Sequence, residues 1–166
     1  MTPTAIDQNF SQLLMLVGRL NYTWTNTESL LIHLIAGLAR TDTETGLIIF
    51  LTLNTTRARV ELVERLAKRD HTDPELQRRI LEAMRAMMRQ SSLRNRYNHC
   101  IYSFDKDQGT ARTILMRISD RKDRLKIGQT AEIDDQAIGE IEQAIEAMQG
   151  VNTTIWKIVQ DYGFPT

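Results

Sequence analysis

The chain has 166 residues, 42% of them apolar and 25% charged, with only 8 glycines and 3 prolines; this fits one domain over residues 1–166 that buries its own core, and favours helix over sandwich or disorder. A lone cysteine, Cys100, excludes an internal disulfide and points to a reducing compartment, and histidines at 33, 71 and 99 have no metal-ligand spacing, so no metal or other cofactor is expected. Lys plus Arg and Asp plus Glu both number 21, so net charge is zero and nothing in the whole-chain balance points to a polyanion.

The first residues, Met1 to Asp7, carry neither a basic nor an apolar targeting segment, and no apolar run approaches the roughly 20 residues of a membrane span. The expectation is a cytoplasmic protein, neither exported nor membrane-embedded. From about Asp7 to Ala39, Val17, Leu20, Trp24, Leu31, Ile35 and Leu38 recur at spacings of three, four or seven, which predicts one long amphipathic helix. Glu28 falls on that stripe at a core position. Either it sits at the stripe's edge and reaches water, or it meets an Arg or His inside the bundle, since an ionised group is rarely buried alone. His33, within Leu30 to Ile35, suits a hydrogen-bonded packing role.

After the polar turn Thr41 to Gly46, the series Ile49, Leu53, Thr56, Val60, Val63 and Ala67 predicts a second helix whose exposed face carries Arg57, Arg59, Arg65, Lys68 and Arg69. His71 lies in the connector that follows, where a solvated turn histidine is expected. Asp73 suits an N-cap and Pro74 the first position of a third helix. Its inward stripe reads Leu76, Ile80, Met84 and Met88, then turns polar at the same spacing through Ser92, Asn95, His99 and Tyr102. Beyond Asp105 to Gly109, Ile114, Met116 and Ile118 alternate with Leu115 and Arg117, a turn signal runs from Ser119 to Asp123, and Leu125 and Ile127 alternate with Lys126 and Gly128. Those residues predict a small β-hairpin. Asp134 then caps a last helix whose stripe is Ala137 or Ile138, Ile141, Ile145, Met148, Val151 or Ile155, and Ile158 or Val159. The fold class is therefore all-α: an up-and-down bundle of four long helices with a β-hairpin inserted before the last.

Charge is uneven along this layout. Residues 1–56 carry two basic and four acidic groups, 57–96 eleven and six, and 97–166 eight and eleven, so a segment of +5 lies between flanks of −2 and −3. Such a field can hold nucleic acid, although exposed helix faces also carry Arg and Lys for solubility.

The basic segment ends in Arg94-Asn95-Arg96-Tyr97-Asn98-His99, the most chemically pointed run of the chain. On one continuous helix Asn95, His99 and Tyr102 share a face, while Arg94 belongs to the neighbouring stripe with Asn98 and Ile101. Arg94 and His99 would then lie about 140° apart and could not clasp one small ligand without a partner surface or a distortion. Cys100, about 100° from His99, reads as a packed small hydrophobe rather than a nucleophile. A purely structural reading is that the helix leaves the core after Met88 and ends in polar residues, with its positive charges favoured by the helix dipole.

Arg94 to His99 resembles the Arg-x4-His motif of HEPN domains, including the polar residue after the Arg, and its place late in a long helix of a small bundle is similar to that family. The resemblance implies a helical homodimer whose two motifs face each other across a cleft, with metal-independent endoribonuclease activity in toxin–antitoxin, antiviral or RNA-processing systems. His99 would be the general acid or base on the RNA 2′-hydroxyl or leaving oxygen, Arg94 would hold the scissile phosphate, and Asn95 would orient one of them. Arg96, Arg57 and Arg89 would track the RNA backbone, and Tyr102 and Glu28 would be auxiliary. The implied partners are RNA, a second copy of the chain, and an antitoxin or nucleotidyltransferase. In HEPN toxins paired with a minimal nucleotidyltransferase a modifiable Tyr usually stands two residues after the His; here that residue is Ile101, with Tyr102 one place later. The alternative functions are a non-catalytic dimerisation or partner-binding module and a small-ligand sensor with a closed pocket near Glu28 and His99.

Overall fold

The computed structural model describes the backbone of residues 5–105, 110–121 and 124–166, with side chains for 10–104, 111–116 and 128–166. The Lys106 to Gly109 connection and the Lys122-Asp123 part of the expected turn lie outside the described residues, as do Met1 to Thr4. The described chain is mostly helical, with one small three-stranded antiparallel sheet. The contacts of the described residues gather into two compact units, one of residues 22–90 with 146–166, the other of the described residues up to 21 with those between 91 and 145.

The four expected long helices are broken into seven, each break having a local cause. The first is α1 (Ala5–Ser29) followed by α2 (Leu31–Ala39). Leu30 between them stays right-handed helical (φ −67°, ψ −16°), but its amide donates to Thr27 at 3.2 Å in a tightened turn. Just upstream the hydroxyls of Thr27 and Ser29 donate to the carbonyls of Thr23 and Asn26, each at 2.8 Å. Back-bonding of this kind competes with the helix ladder and bends it. The second expected helix is α3 (Thr43–Thr52) and α4 (Thr56–Ala67), separated where Leu53 and Thr55 turn extended. Thr55 caps α4 by accepting from the Ala58 amide at 3.1 Å. The apolar spacing had bridged this loop by coincidence.

In the unit built on residues 22–90 and 146–166, α2 meets α3 and α4, and α4 meets α5 (Pro74–Arg89). Asp73 caps α5 as expected, accepting from the Leu76 amide at 2.9 Å, with Pro74 opening the helix. The core holds Trp24, Leu31, Leu34, Ile35, Val60, Val63, Ile80, Met84, Ile155 and Ile158. On α5 Met84 and Met87 are fully buried, whereas Met88, expected on the inward stripe, is only half-buried.

Two polar groups inside this core are paired. Glu28, only 8% exposed, accepts from Arg59 Nη1 at 2.8 Å and from the Trp24 indole at 3.2 Å. Arg59 therefore does not belong to the exposed face of its helix. Its Nε donates to the carbonyls of Phe50 and Leu53 at 3.1 and 3.0 Å, satisfying the end of α3, and its guanidinium lies 4.0 Å from the centre of the Phe50 ring. Of the two readings of Glu28, the inward ion pair is the one realised. His33 Nδ1 lies 2.9 Å from the Pro165 carbonyl and its ring is 5.4 Å from that of Trp156, a packing role.

The other unit contains the sheet. The third expected helix ends at Arg89, resumes as α6 (Ser91–Asn98), and does not continue to Tyr102: Cys100–Asp105 is strand β1. Gln90-Ser91-Ser92 is a weak helical stretch, and the Gln90 amide closes the turn on Met87 at 3.0 Å. From Cys100 onward the period is two. Cys100, Tyr102 and Phe104 are half-buried while Ile101 and Ser103 are exposed, the alternation of a strand with one covered face. β1 pairs with β2 (Thr110–Arg121), and β2 with β3 (Arg124–Glu132), giving three strands where two were expected. Asp134 caps α7 (Asp135–Asp161) through the Ala137 amide at 2.8 Å. Leu13, Leu16 and Leu20 of α1, Tyr97, and Ile141, Ala144 and Ile145 of α7 form the core here. Among the described residues no helix is long and apolar enough to cross a membrane.

Candidate functional site

Tyr97 decides how α6 presents its side chains. It is 4% exposed and packs into the core of its unit, with Leu93 half-buried one turn before it. The inward pair is thus Leu93 and Tyr97. The stripe expected to face inward, Ser92, Asn95 and His99, instead points to solvent. That stripe continues from Met88, whereas the inward residue of α5 is Met87, and the helix is interrupted at Gln90 before the motif begins.

His99 lies at the bend between α6 and β1. Its amide donates to the carbonyls of Asn95 at 3.1 Å and Arg96 at 3.3 Å, and its own carbonyl accepts from Met116 of β2 at 3.4 Å. The backbone is held from the helix and from the sheet, and the imidazole projects outward. Tyr102, expected on the same face, is a strand residue whose hydroxyl donates to the Tyr97 carbonyl at 2.7 Å. Tyr102 therefore braces the end of α6 instead of lining the His99 face. Burial pushes the phenols of Tyr97 and Tyr102 above their ordinary range, Tyr102 also through Cys100, so both stay protonated near neutral pH. Cys100 packs beside them, its thiol 3.5 Å from the Tyr97 carbonyl.

Arg94 is held by amides. Its Nη1 donates to Asn95 Oδ1 at 3.2 Å and its Nε to Asn21 Oδ1 of α1 at 3.3 Å. The Asn98 amide, assigned with its oxygen toward Arg94 so that both neighbours are satisfied, accepts from Nε at 2.8 Å and Nη2 at 3.2 Å and donates to Asn21 at 2.9 Å. Amide oxygens orient a guanidinium without adding charge of their own. Asn95 meanwhile lines an open depression of about 610 Å³ with Ser92, Arg96, His99, Leu115 and Met116. One side chain thus touches Arg94 and borders the same hollow as His99. Arg94 itself does not line this hollow.

The remaining expected residues are not gathered here. Glu28, Arg57 and Arg89 belong to the unit of residues 22–90 and 146–166, whereas Arg94, Asn95, Arg96 and His99 belong to the other. Glu28 is committed to Arg59. Arg57 pairs with Glu61 at 2.9 Å, which raises the Arg57 pKa and lowers that of Glu61. Arg89 borders a groove with Arg85, Ala86, Ala147 and Gly150 of its own unit. Sequence reasoning did not single out Asn21, or Gln129 of β3, which also lines the His99 hollow. The four-residue step from Arg94 to Asn98 was a usable sign of contact, but nothing local links Asn21 or Gln129 to the motif. Among the described residues there is no cluster of three or more His, Cys, Asp or Glu placed to hold a metal ion.

Compared with protein-family models, with curated proteins and with solved structures, the chain matches none.

Proposed function

We propose that this chain binds RNA and cleaves it without a metal ion, as a cytoplasmic homodimer of HEPN type within a toxin–antitoxin or antiviral system. A helical-bundle frame of that family is part of the reading, as is an antitoxin or nucleotidyltransferase partner. The observation that carries it is Asn95, which accepts from Arg94 while bordering the hollow that His99 also lines. An oriented guanidinium, a neutral amide and an exposed imidazole then lie along one helix end.

The chemistry follows from those groups. One His99 takes the proton of an RNA 2′-hydroxyl, the oxygen attacks the adjacent phosphorus, and the bond from phosphorus to the 5′-oxygen breaks. The leaving oxygen receives a proton from the His99 of the second chain, giving a 2′,3′-cyclic phosphate and a 5′-hydroxyl. Arg94 stabilises the charge that grows on the phosphoryl oxygens, for which its fork of donors is suited. The test is cleavage of RNA by the purified chain with EDTA present, beside His99→Ala. Cleavage lost in the variant supports the reading; no cleavage of any RNA tried, or equal cleavage by the variant, overturns it.

A second reading, a non-catalytic dimerisation or partner-binding module, is favoured by the exposed apolar side chains Leu47, Ile48 and Leu51 of α3, of which Ile48 and Leu51 are 59% and 62% exposed. Such residues on one helix commonly mark a contact surface. It predicts an unchanged dimer in His99→Ala and a monomer in Leu51→Glu, with no RNA bound by either.

A further inference from the structure

Beside the His99 hollow lies a second open depression, of about 560 Å³, lined by Arg96, Thr113, Leu115, Gly128, Gln129 and Thr130. The first hollow also includes Arg96, Leu115 and Gln129. Sharing these three residues, the two hollows adjoin, and together they form a trough bordered by the end of α6, β2 and β3. Each half falls within the roughly 300–1,000 Å³ of small-ligand sites.

Two irregularities of the sheet shape this trough. Consecutive strand residues normally face opposite ways, yet Leu115 and Met116 both line the His99 hollow. The register of β2 against β3 slips between Leu115 and Ile118, a bulge that accounts for the shared side. Met116 is 63% exposed there, an apolar plate open to solvent. On β3, Gly128 has φ +68°, a conformation that disfavours a side chain, so the trough floor is bare backbone at that point. Gln129 pairs directly across from Leu115 and is exposed. Its amide presents a donor and an acceptor above an apolar surface.

An apolar plate, a two-way amide and an arginine between two hollows suit a nucleobase and its phosphate. A base lodged in a hollow cannot remain stacked in a duplex, and the edges of duplex RNA bases are poorly accessible to side chains. We infer that the trough is a subsite for single-stranded RNA next to the scissile phosphate, in which Gln129 reads the base seated on Leu115 and Met116 and Arg96 holds the adjoining phosphate. The inference rests on the RNA reading above.

The test uses the full chain carrying His99→Ala, so that substrate survives, with single-stranded 10-mers of each of the four bases and one duplex as probes in fluorescence anisotropy. The expected result is that one single-stranded oligomer binds about tenfold more tightly than the others and than the duplex. Adding Gln129→Ala erases the preference while leaving the weaker oligomers unchanged, and adding Arg96→Ala weakens all of them alike. Gln129 is exposed, and circular dichroism checks that the variant stays folded. No preference among the bases, a preference that survives Gln129→Ala, or a duplex bound as well as the best single strand overturns the subsite alone. Failure to bind any of the probes overturns the subsite and the RNA reading together. Base-selective binding by a chain whose wild type does not cleave would keep the subsite and remove the nuclease.

Discussion

Asn98 Oδ1 accepts from Arg94 Nε at 2.8 Å, one helical turn along α6, and the same amide donates to Asn21 of α1 at 2.9 Å. The pair fixes the plane of the guanidinium, which under the proposed function is then set before a phosphate arrives. Asn98 is exposed, so Asn98→Ala should leave folding nearly intact and, under the proposed function, lower RNA cleavage by on the order of 10- to 100-fold, the cost of a misplaced catalytic group. Asn98→Asp should keep the bonds from Arg94, lose the one donated to Asn21, and place a negative charge beside the proposed phosphate site, raising KM more than it changes kcat. Steady-state kinetics on one RNA substrate separates the two.

Glu28 and Arg59 are 11% and 19% exposed in their side chains and only 2.8 Å apart. Removing one partner of a pair so little exposed strands the other, so Glu28→Ala or Arg59→Ala should each cost about 3 kcal/mol in urea unfolding. Arg59 also satisfies two carbonyls at the end of α3, so its loss should be the larger. The double variant should cost less than the sum of the two, since the groups share one interaction.

Much of this fold could be read from spacing, and the exceptions share a cause. Trp24, Val60, Ile80, Met148 and Ile155 are buried where a helical period puts them, and Asp73 and Asp134 cap the helices they were expected to cap. Periodicity failed where two segments were in phase across a break. Leu53 continued the stripe of Ile49 although the chain there is extended, and Tyr102 continued that of His99 although it lies in a strand. At the site, the residue types were legible but their directions were not, because the expected stripe continues from Met88 while Met87 faces inward, and the helix is interrupted at Gln90. The Asn21 contact with Arg94 joins residues 73 positions apart, and no local pattern encodes a pairing of that range.

Arg40 ends α2 in the left-handed conformation, φ 56° and ψ 48°, while the Thr41 amide closes the turn on Ala36 at 2.9 Å. A side chain is strained there and glycine is not. Arg40→Gly should therefore raise stability by about 0.5–1 kcal/mol, seen as a higher urea midpoint with an unchanged slope.

Asp42 caps α3 through a 2.7 Å bond from the Thr45 amide. That hydrogen bond holds its carboxyl below the ordinary carboxylate range. A lowered folded pKa contributes stability that is complete above the unfolded value and is lost as pH falls through the folded one. The loss should begin from about pH 4 downward. Asp42→Asn keeps a capping oxygen and removes the titration. Its urea midpoint should fall less steeply with acid than that of the wild type, with the two curves converging as the carboxyl is protonated.

Gly37 stands on α2 where a Cβ would overlap the ring of Phe164 in the C-terminal segment. Phe164 is half-buried against the core of that unit, and its amide donates to Val159 at 2.9 Å. Gly37→Ala cannot be absorbed by a slight tilt, because the overlap involves the body of the ring. The ring must leave, and the apolar contacts of Phe164 go with it, at a cost of about 1–3 kcal/mol. The helical preference of Ala over Gly offsets roughly 1 kcal/mol of this. Phe164→Ala makes room for the added methyl, so the double variant should be more stable than the two single losses imply. Urea unfolding of the four proteins measures that coupling; additive losses would mean that the ring does not meet Gly37. Carboxypeptidase digestion gives a second readout, with residues after Tyr162 released faster from Gly37→Ala than from the wild type.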